Sequence, residues 1–324
     1  MIKLHLIELA VASLAFLVSL SFASEKPIRI GLIGLDTSHA PNFTRIINDQ
    51  NDKDHVPGAK VVCGFPGGSP DVVASYTRVD KFTAQIRDEY HVEIVDNIPA
   101  LLKKVDAVIL TSVDGRVHLK QVEPVIAAKK PVFIDKPMAA SLADVKEIFR
   151  LADQAGSPVW SSSSLRFFPE LIEALHDKSL GKVIGCDAYS PAHLEPHHPD
   201  LFWYAVHGVE TLFTAMGPNI QACTRTSTEG TDIVTGVWDD NRLGTFRGIR
   251  DGKGGYGATI FFENGIRHVE PGKGSLYKPL IEKIITFFKT GKPPVSHQET
   301  IAIFEFMDAA QTSKEMGGSL VKIR

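Results

Sequence analysis

A short apolar run, Ile28–Leu32, leads into a turn that begins with Gly34, and a helical stretch follows at Pro41–Asn48. A strand, a glycine turn and a helix in this order are typical of the first βαβ unit of a Rossmann-type domain. In the usual fingerprint, glycines also stand two and five residues after the first, where the backbone approaches a pyrophosphate and packs on the sheet. Asp36 and His39 occupy those positions here. The order of elements therefore predicts the fold, while the residues of the turn leave cofactor binding open.

Asp36 is the residue of this turn that matters most for ligand binding. A carboxylate beside a pyrophosphate is repulsive unless it turns away or is neutralised by its neighbours. Asp36 either caps the following helix or adjoins a phosphate that is held by the hydroxyl and N–H groups of Thr37 and Ser38. Both alternatives stay open. The predicted cofactor-binding positions of the turn are Gly34, Asp36, Thr37, Ser38 and His39.

The second predicted strand, Ala59–Phe65, adds a further departure. An acidic residue usually follows this strand and binds the adenosine ribose. Here a Gly67-Gly68-Ser69 turn follows, and the first acid is Asp71. A turn without an acid leaves room for a 2′-phosphate, and it is equally compatible with no adenosine at all. The cofactor is therefore predicted as NAD or NADP, without a choice between them.

Apolar runs and amphipathic stretches continue to alternate up to about Trp160. Further predicted strands are Ala107–Leu110, Pro131–Ile134 and one starting at Val159; predicted helices are Pro99–Lys104, Leu119–Ala128 and Leu142–Ala155, the last with Ser141 as cap and Gly156 as stop. This alternation predicts a parallel sheet with helices on both faces. Ligands of such sheets bind at the carboxyl ends of the strands. Residues 24–160 are assigned to this Rossmann-type domain.

The pattern changes after about Pro169, where strands follow one another through Gly, Asp and Asn turns. Predicted strands are Val183–Tyr189, Ala222–Ser227, Ile233–Trp238, Leu243–Ile249 and Tyr256–Phe262; predicted helices are Leu201–Met216, Lys278–Lys289 and Glu299–Glu315. Tight turns between strands favour antiparallel pairing. Residues 161–324 are therefore predicted to form an α+β domain with a large open, mostly antiparallel sheet. Its last helix belongs to this domain or packs back on the first.

The first 23 residues have the pattern of an export signal. Lys3 precedes the apolar run Leu9–Phe22, and small residues at Ser21 and Ala23 fit a cleavage site. An uncleaved anchor is the alternative. We expect an exported protein, periplasmic or extracellular, without a membrane segment once the signal is removed.

Composition excludes some classes of partner. A net charge of -3 gives no electrostatic basis for binding nucleic acid, so a small-molecule ligand is expected. The chain has three cysteines and no C-x-x-C pair. This pattern indicates buried thiols rather than a disulfide framework or a zinc site.

The segment Asp135-Lys136-Pro137 follows the predicted strand Pro131–Ile134. A lysine at the carboxyl end of a strand lies at the crevice, where its ammonium can hydrogen-bond a substrate hydroxyl and tune its acidity. A proline in such a tight turn is compatible with a cis peptide bond. For an isolated lysine, a solvated surface position is the alternative.

Several segments in a fixed order carry a family resemblance. They are Val105–Thr111, His118, Ala127–Val132, Asp135–Pro137 and Arg166-Phe167. This order resembles the Gfo/Idh/MocA oxidoreductase family over nearly all of the mature chain, with Asp-Lys-Pro where Glu-Lys-Pro is usual. The resemblance implies a Rossmann domain, an α/β domain with a large open sheet, a nicotinamide cofactor, a carbohydrate-like substrate and homo-oligomers. Further cofactor-binding positions are then Thr111, Asp135, Lys136 and Pro137.

In that family, a helix of the second domain carries an Asp, Gly and His pattern, and its histidine faces the nicotinamide. The matching segment here is Leu201–Glu210, in which His207 matches the histidine and Trp203 stands where the acid is usual. Helical spacing places Trp203, His207 and Glu210 on one face, with Tyr204 one turn before His207. A core histidine is the alternative. The predicted catalytic residues are Lys136, Tyr204 and His207.

A proline-rich loop before this helix carries His193, His197 and His198 near Glu195 and Asp200. The spacing matches no established metal motif, and no metal is predicted; solvated side chains are the alternative. Imidazoles and carboxylates pair well with sugar hydroxyls, which favours substrate recognition. The predicted substrate-binding residues are Arg166, His193, His197 and Glu210.

Three functions remain open at this point. The leading one is nicotinamide-dependent hydride transfer on a sugar or cyclic polyol. The second is a glycosidase on the same fold that retains NAD and cleaves the sugar by elimination. The third is a non-catalytic sugar-binding protein that has lost its cofactor, in keeping with Asp36 and His39. Free NAD is scarce outside the cytoplasm, and no twin-arginine pair precedes the apolar run, which weighs against simple redox turnover after export.

Overall fold

The computed structural model describes residues 26–323. The predicted export signal lies outside the described residues and stays a prediction. Between Lys26 and Ile323, none of the helices combines the length and the apolar character needed to cross a bilayer.

The first half alternates strands with helices, as the sequence predicts. Its elements are β1 Ile28–Ile33, α1 His39–Asn48, β2 Ala59–Phe65, α2 Val73–Tyr76, α3 Val79–Tyr90, β3 Glu93–Ile94, α4 Ile98–Leu102, β4 Ala107–Leu110, α5 His118–Ala127, β5 Val132–Asp135, α6 Leu142–Ala155 and β6 Val159–Ser162. The strands form a six-stranded parallel sheet in the order β3-β2-β1-β4-β5-β6. This order is that of a Rossmann domain, so the predicted fold class is confirmed for this half.

Strand β4 shows why the sheet needs helices on both faces. All four of its residues are buried, Val108 and Leu110 in one apolar cluster and Ala107 and Ile109 in the other. Such a continuous apolar run is characteristic of a parallel strand covered twice. The predicted limits of α6 are also correct: the amide of Asp144 donates to the Ser141 hydroxyl at 3.0 Å, and Gly156 ends the helix with φ +64.

The second half is built around one large sheet. Its elements are α7 Pro169–His176, β7 Val183–Pro191, a π-helical turn Leu201–Ala205, α8 Val206–Met216, β8 Ile220–Ser227, β9 Thr231–Trp238, β10 Leu243–Ile249, β11 Gly257–Phe262, β12 Gly265–Val269, α9 Lys278–Thr290, α10 His297–Glu315 and β13 Val321–Lys322. The order is β12-β11-β7-β10-β9-β8-β13. All neighbours are antiparallel except β7 and β10, which run parallel. The predicted large, mostly antiparallel sheet is therefore confirmed.

Helices α9 and α10 connect the two halves. In α9, Ile281 and Ile284 belong to the same buried cluster as Phe43 of α1. In α10, the ring of His297 stacks on Phe149 of α6, with 4.0 Å between ring centroids. This packing fixes the position of the second sheet relative to the strand ends of the first.

Several features of the chain differ from the sequence expectations. The sequence analysis did not predict α2, α3, β3, α7, β12 or β13. Of these, α3 carries apolar residues at helical spacing, although only Ile86 is fully buried. Helix α1 begins at His39, two residues before the predicted start at Pro41. The three cysteines are free and buried, as predicted.

Candidate active site

A cavity of about 270 Å³ lies where the carboxyl ends of the Rossmann strands meet the helix that carries His207. Its lining residues are Thr37, Ser38, His39, Ala74, Arg78, Val113, Lys136, His193, Trp203, Tyr204, His207 and Tyr277. Strand ends in a doubly wound sheet are the expected place for a ligand. The three predicted catalytic residues therefore share one space, although Lys136 precedes Tyr204 by 68 positions in the chain.

Lys136 enters this space from the turn after β5. Its Nζ lies 5.4 Å from the centroid of the Tyr204 ring, and the Lys136–Pro137 bond is cis, as the sequence allowed. Burial lowers the pKa of the Lys136 ammonium, and the nearby Arg78 guanidinium lowers it further. A lysine with a lowered pKa is suited to hydrogen-bond a reacting hydroxyl and to exchange a proton with it.

His207 lies on α8 and is held from behind by Ser163. The Ser163 hydroxyl lies 2.6 Å from His207 Nδ1 and accepts a hydrogen bond from the backbone N–H of Leu165 at 3.1 Å. The hydroxyl proton is therefore available to Nδ1, which places the proton of the neutral imidazole on Nε2. Burial sets the pKa of His207 well below its usual value, and the positive charges of Lys136 and His39 add to the effect.

Replacing Ser163 by alanine should lower kcat about tenfold, because His207 loses the contact that fixes its tautomer. That contact favours neutral imidazole, so its loss should raise the pKa of His207 and move the acidic limb of the pH–kcat profile to higher pH. Steady-state rates across pH measure both effects. Ser163→Thr keeps the hydroxyl and serves as the control; an alanine variant with an unshifted profile would remove Ser163 from the positioning of His207.

A pair of tyrosines supports the same wall of the cavity. The hydroxyls of Tyr204 and Tyr256 lie 3.0 Å apart, and burial raises the pKa of Tyr256. Burial also raises the pKa of Tyr277 to about 12. Tyr256 and Tyr277 are thus neutral near pH 7 and available as hydrogen-bond donors.

The contacts of the turn after β1 show why it contains a glycine and an aspartate. Gly34 has φ +83, and a side chain there would meet Ser112 within about 2.4 Å, so only glycine fits. Asp36 is fully buried; its carboxylate accepts hydrogen bonds from Ser75 Oγ at 2.6 Å and from the backbone N–H of Val113 at 2.9 Å. Burial raises the pKa of Asp36. Asp36 therefore does not cap α1; it joins the turn to α2 and to the loop after β4.

The other predicted cofactor-binding residues lie around this turn. The Thr111 hydroxyl donates to the carbonyl of Gly34 at 2.5 Å, and His39 Nδ1 lies 2.5 Å from Asp135 Oδ2. The second oxygen of Asp135, Oδ1, is buried and has no hydrogen-bond partner among residues 26–323. A buried acceptor without a donor is an unusual feature that a bound ligand would explain.

The described residues fit a nicotinamide dinucleotide at the nicotinamide end of the site. At the nicotinamide end, Lys136 and His207 offer donors around an open space. The orphaned oxygen of Asp135 is buried beside Lys136 and outside the cavity lining.

At the phosphate end, the Gly34 turn packs against the backbone of Ser112, and the N–H of Leu35 donates to the carbonyl of Pro66 at 2.7 Å. There Asp36 adds a carboxylate that is hydrogen-bonded to Ser75 of α2.

Replacing Asp36 by asparagine should raise the affinity for NAD⁺ about five- to tenfold, since a negative charge is removed beside the predicted phosphate position. The amide keeps an oxygen for Val113 N–H and a donor for Ser75 Oγ, so the fold is preserved. Calorimetric titration with NAD⁺ measures the change. Asp71→Asn, an exposed acid of the segment between β2 and α2, is the control and should leave the affinity within twofold. Weaker binding in the Asp36 variant would show that its charge does not oppose the cofactor.

Several predicted substrate residues lie outside the cavity lining. Arg166 Nε donates to Glu210 Oε2 at 2.8 Å in a buried ion pair, and Arg166 also pairs with Glu299 on α10 at 2.5 Å. His197 lies at the surface beside Glu195. His193 does line the cavity, with its ring 5.1 Å from that of Tyr204. The substrate roles of all four residues stay predictions, and the geometry favours His193 over the others.

The histidine loop is bound into the fold rather than arranged around an ion. His198 Nε2 accepts a hydrogen bond from the Gly115 backbone N–H at 3.1 Å and lies 3.2 Å from Asp114. Within residues 26–323, no group of three or more His, Cys, Asp or Glu side chains is arranged to hold a metal ion.

The cavity also contains residues that were not predicted as part of the site. Arg78 and Tyr277 come from the start of α3 and from the residue before α9. The only sequence signal for Arg78 is a basic residue shortly after the glycine turn that follows β2. Tyr277 has no local signal, because it reaches the site through the packing of α9 on α1.

Comparison with known families confirms the resemblance seen in the sequence. Residues 28–163 match the model of the Gfo/Idh/MocA oxidoreductase family, described as an NAD-binding Rossmann fold. NAD is thus the nucleotide named for the family, in agreement with the predicted nicotinamide cofactor. No curated protein sequence matches the chain.

Solved structures share the fold over both domains. Scyllo-inositol dehydrogenase from Lactobacillus casei, solved with NAD(H) and scyllo-inositol, has a TM-score of 0.73 at 15% identity and covers 92% of this chain and 99% of its own. Myo-inositol 2-dehydrogenase from Lactobacillus plantarum has a TM-score of 0.74 at 17% identity, covering 92% and 100%. GenD2 from gentamicin A biosynthesis, solved with NAD, has a TM-score of 0.73 at 14% identity, covering 92% and 97%. Residues 28–163 thus match the NAD-binding Rossmann domain of the Gfo/Idh/MocA oxidoreductase family, and the solved structures extend the likeness of fold to both domains.

Proposed function

We propose that the protein transfers a hydride between a nicotinamide cofactor and a carbon bearing a hydroxyl or carbonyl group on a sugar or cyclic polyol. The observation that carries this proposal is the meeting of Lys136, Tyr204 and His207 in one cavity at the strand ends. The bound nicotinamide would supply or accept the hydride. The protein's own side chains must then hold the substrate oxygen and manage its proton.

The roles follow from the contacts of each residue. Lys136 has its ammonium over Tyr204 and is placed to hydrogen-bond the reacting oxygen. His207 presents Nε2–H to the cavity and is placed to hydrogen-bond the reacting oxygen, while the proton moves between that oxygen and the Lys136 Nζ. Trp203 replaces the acid usual in the resembling family, so the Ser163 hydroxyl is the group that orients His207 here.

Two structurally similar enzymes indicate which compounds to test first as substrates. The Lactobacillus casei enzyme was solved with scyllo-inositol and the Lactobacillus plantarum enzyme is a myo-inositol 2-dehydrogenase. Polyols of this size suit a cavity of about 270 Å³, close to the lower end of the range of about 300–1,000 Å³ typical of small-molecule sites.

The proposal is tested on the natively purified protein. Mass spectrometry of the released ligand and calorimetry with NAD⁺ and NADP⁺ should detect nucleotide binding. Absorbance assays with inositols, hexoses and hexuronates should then show reduced nicotinamide accumulating. A protein that binds neither nucleotide would instead be a sugar-binding protein. Sugar cleavage without net formation of reduced nicotinamide would replace the proposal by the elimination reaction that retains NAD.

A further inference from the structure

The cavity contains one cation more than the hydride chemistry needs. Lys136 and Arg78 both line it, and the only side-chain hydrogen bond of Arg78 among the described residues runs from Nε to the carbonyl of Ala74. Neither side chain pairs with a carboxylate in the part of the chain that the structure describes. The two terminal nitrogens of Arg78 thus remain as donors at the cavity.

The nearby acids do not neutralise these cations through direct contact. Asp135 directs Oδ2 to His39, at 2.5 Å, and its Oδ1 is buried. Asp36 is fully buried and accepts hydrogen bonds from Ser75 and Val113. Neither acid lines the cavity, and the remaining titratable lining groups are imidazoles and phenols. A ligand in this space therefore meets donors and positive charge on several sides.

We propose that the substrate of this site carries a carboxylate and that Arg78 binds it, so that the substrate class is a sugar acid. The planar guanidinium, with its two free terminal nitrogens, matches the two oxygens of a carboxylate. Lys136 and His207 remain for the oxygen that reacts. A neutral polyol would leave the Arg78 donors without an anionic partner in a partly buried site, which costs binding energy. This inference rests on the proposed function, because it assigns the substrate to the same cavity.

Matched pairs of sugars test the proposal by calorimetry on the whole chain, with and without NAD⁺. The pairs are D-glucose with D-glucuronate, D-galactose with D-galacturonate and D-mannose with D-mannuronate, which differ only in a carboxylate at the sixth carbon. At least one acid should bind about 10- to 100-fold more tightly than its neutral partner, the range expected for hydrogen bonds to a charged group. If no acid binds more tightly than its partner, the proposal is wrong.

Two variants locate the effect. Arg78→Gln should abolish the preference for the acid, whereas Arg87→Gln, on the exposed surface of the same helix and paired with Asp88, should retain it. The other anion that fits Arg78 is a phosphate group, carried by the cofactor or by the substrate. If Arg78→Gln instead weakens NAD⁺ while the acid preference persists, Arg78 serves the cofactor and the proposal is overturned. Tighter binding of D-glucose 6-phosphate than of any hexuronate would likewise replace the carboxylate by a phosphate.

These outcomes separate the inference from the function on which it rests. An Arg78-dependent preference for an acid, without any nucleotide binding or redox turnover, would refute the hydride-transfer proposal and leave the sugar-acid inference standing. Redox turnover of a neutral polyol, with no preference for its acid, would refute the sugar-acid inference and leave the hydride-transfer proposal standing.

Discussion

Replacing Lys136 by methionine is expected to lower kcat/KM for the sugar substrate by about 10²- to 10⁴-fold, the usual contribution of a residue that handles a proton. Methionine nearly preserves the length of the side chain and removes its charge and its three donors. The ammonium lies over Tyr204, and the neighbouring buried carboxylate, Asp135, keeps its contact with His39 when the lysine is replaced. The loss should therefore fall on the reaction rather than on the fold.

Lys120→Met is the matched control, because Lys120 is an exposed lysine of α5 on the same domain. Its kcat/KM should stay within twofold of the parent, and both variants should show the same unfolding curve in urea. The rate should be measured with saturating nucleotide, and NAD⁺ affinity should be recorded separately. A Lys136 variant that keeps full turnover would exclude this residue from the chemistry.

The Rossmann half of the fold could be predicted closely because its signals are local. Strand β4 is a short, wholly apolar run, and α6 carries its own cap at Ser141 and its own glycine stop at Gly156. Such features depend on neighbours in the chain and not on tertiary contacts. The family motif then brought Lys136 and His207 to one site, and both residues line the same cavity.

The rest of the site depends on packing that no local pattern encodes. Helix α3, which follows Arg78, has one fully buried residue, Ile86, and its apolar pattern does not mark Arg78 as a site residue. The parallel pairing of β7 with β10 breaks the antiparallel rule that tight turns predict. Periodicity placed Glu210 on the face of His207, yet Glu210 pairs with Arg166, 44 positions earlier in the chain.

The turn after β1 contains one residue whose role could be predicted from the sequence and one whose contacts could not. Its glycine was predicted from the fingerprint and is required by the approach of Ser112. The contacts of Asp36 could not be predicted, because its partners Ser75 and Val113 come from two later segments of the chain. Asp36 departs from the fingerprint because its carboxylate links this turn to α2 and to the loop after β4.

Replacing Glu210 by alanine is expected to lower the free energy of unfolding by about 3 kcal/mol, at the lower end of the cost of breaking a buried ion pair. The variant leaves the buried Arg166 guanidinium with Glu299 as its remaining carboxylate. It also removes the acceptor for the backbone N–H of Ser163, which Glu210 Oε1 binds at 3.1 Å. Urea denaturation followed by circular dichroism measures the loss.

Glu305→Ala is the matched control, since Glu305 forms an ion pair with the half-exposed Lys146 between α10 and α6. Surface pairs contribute about 0–1 kcal/mol, so this variant should unfold close to the parent. Equal losses in the two variants would contradict a special role for the buried pair. Glu210→Gln retains an acceptor for Ser163 and removes the charge. We expect Glu210 to act on the reaction only by positioning Ser163 and thereby His207. If this is so, Glu210→Gln should keep kcat close to the parent value while its free energy of unfolding falls.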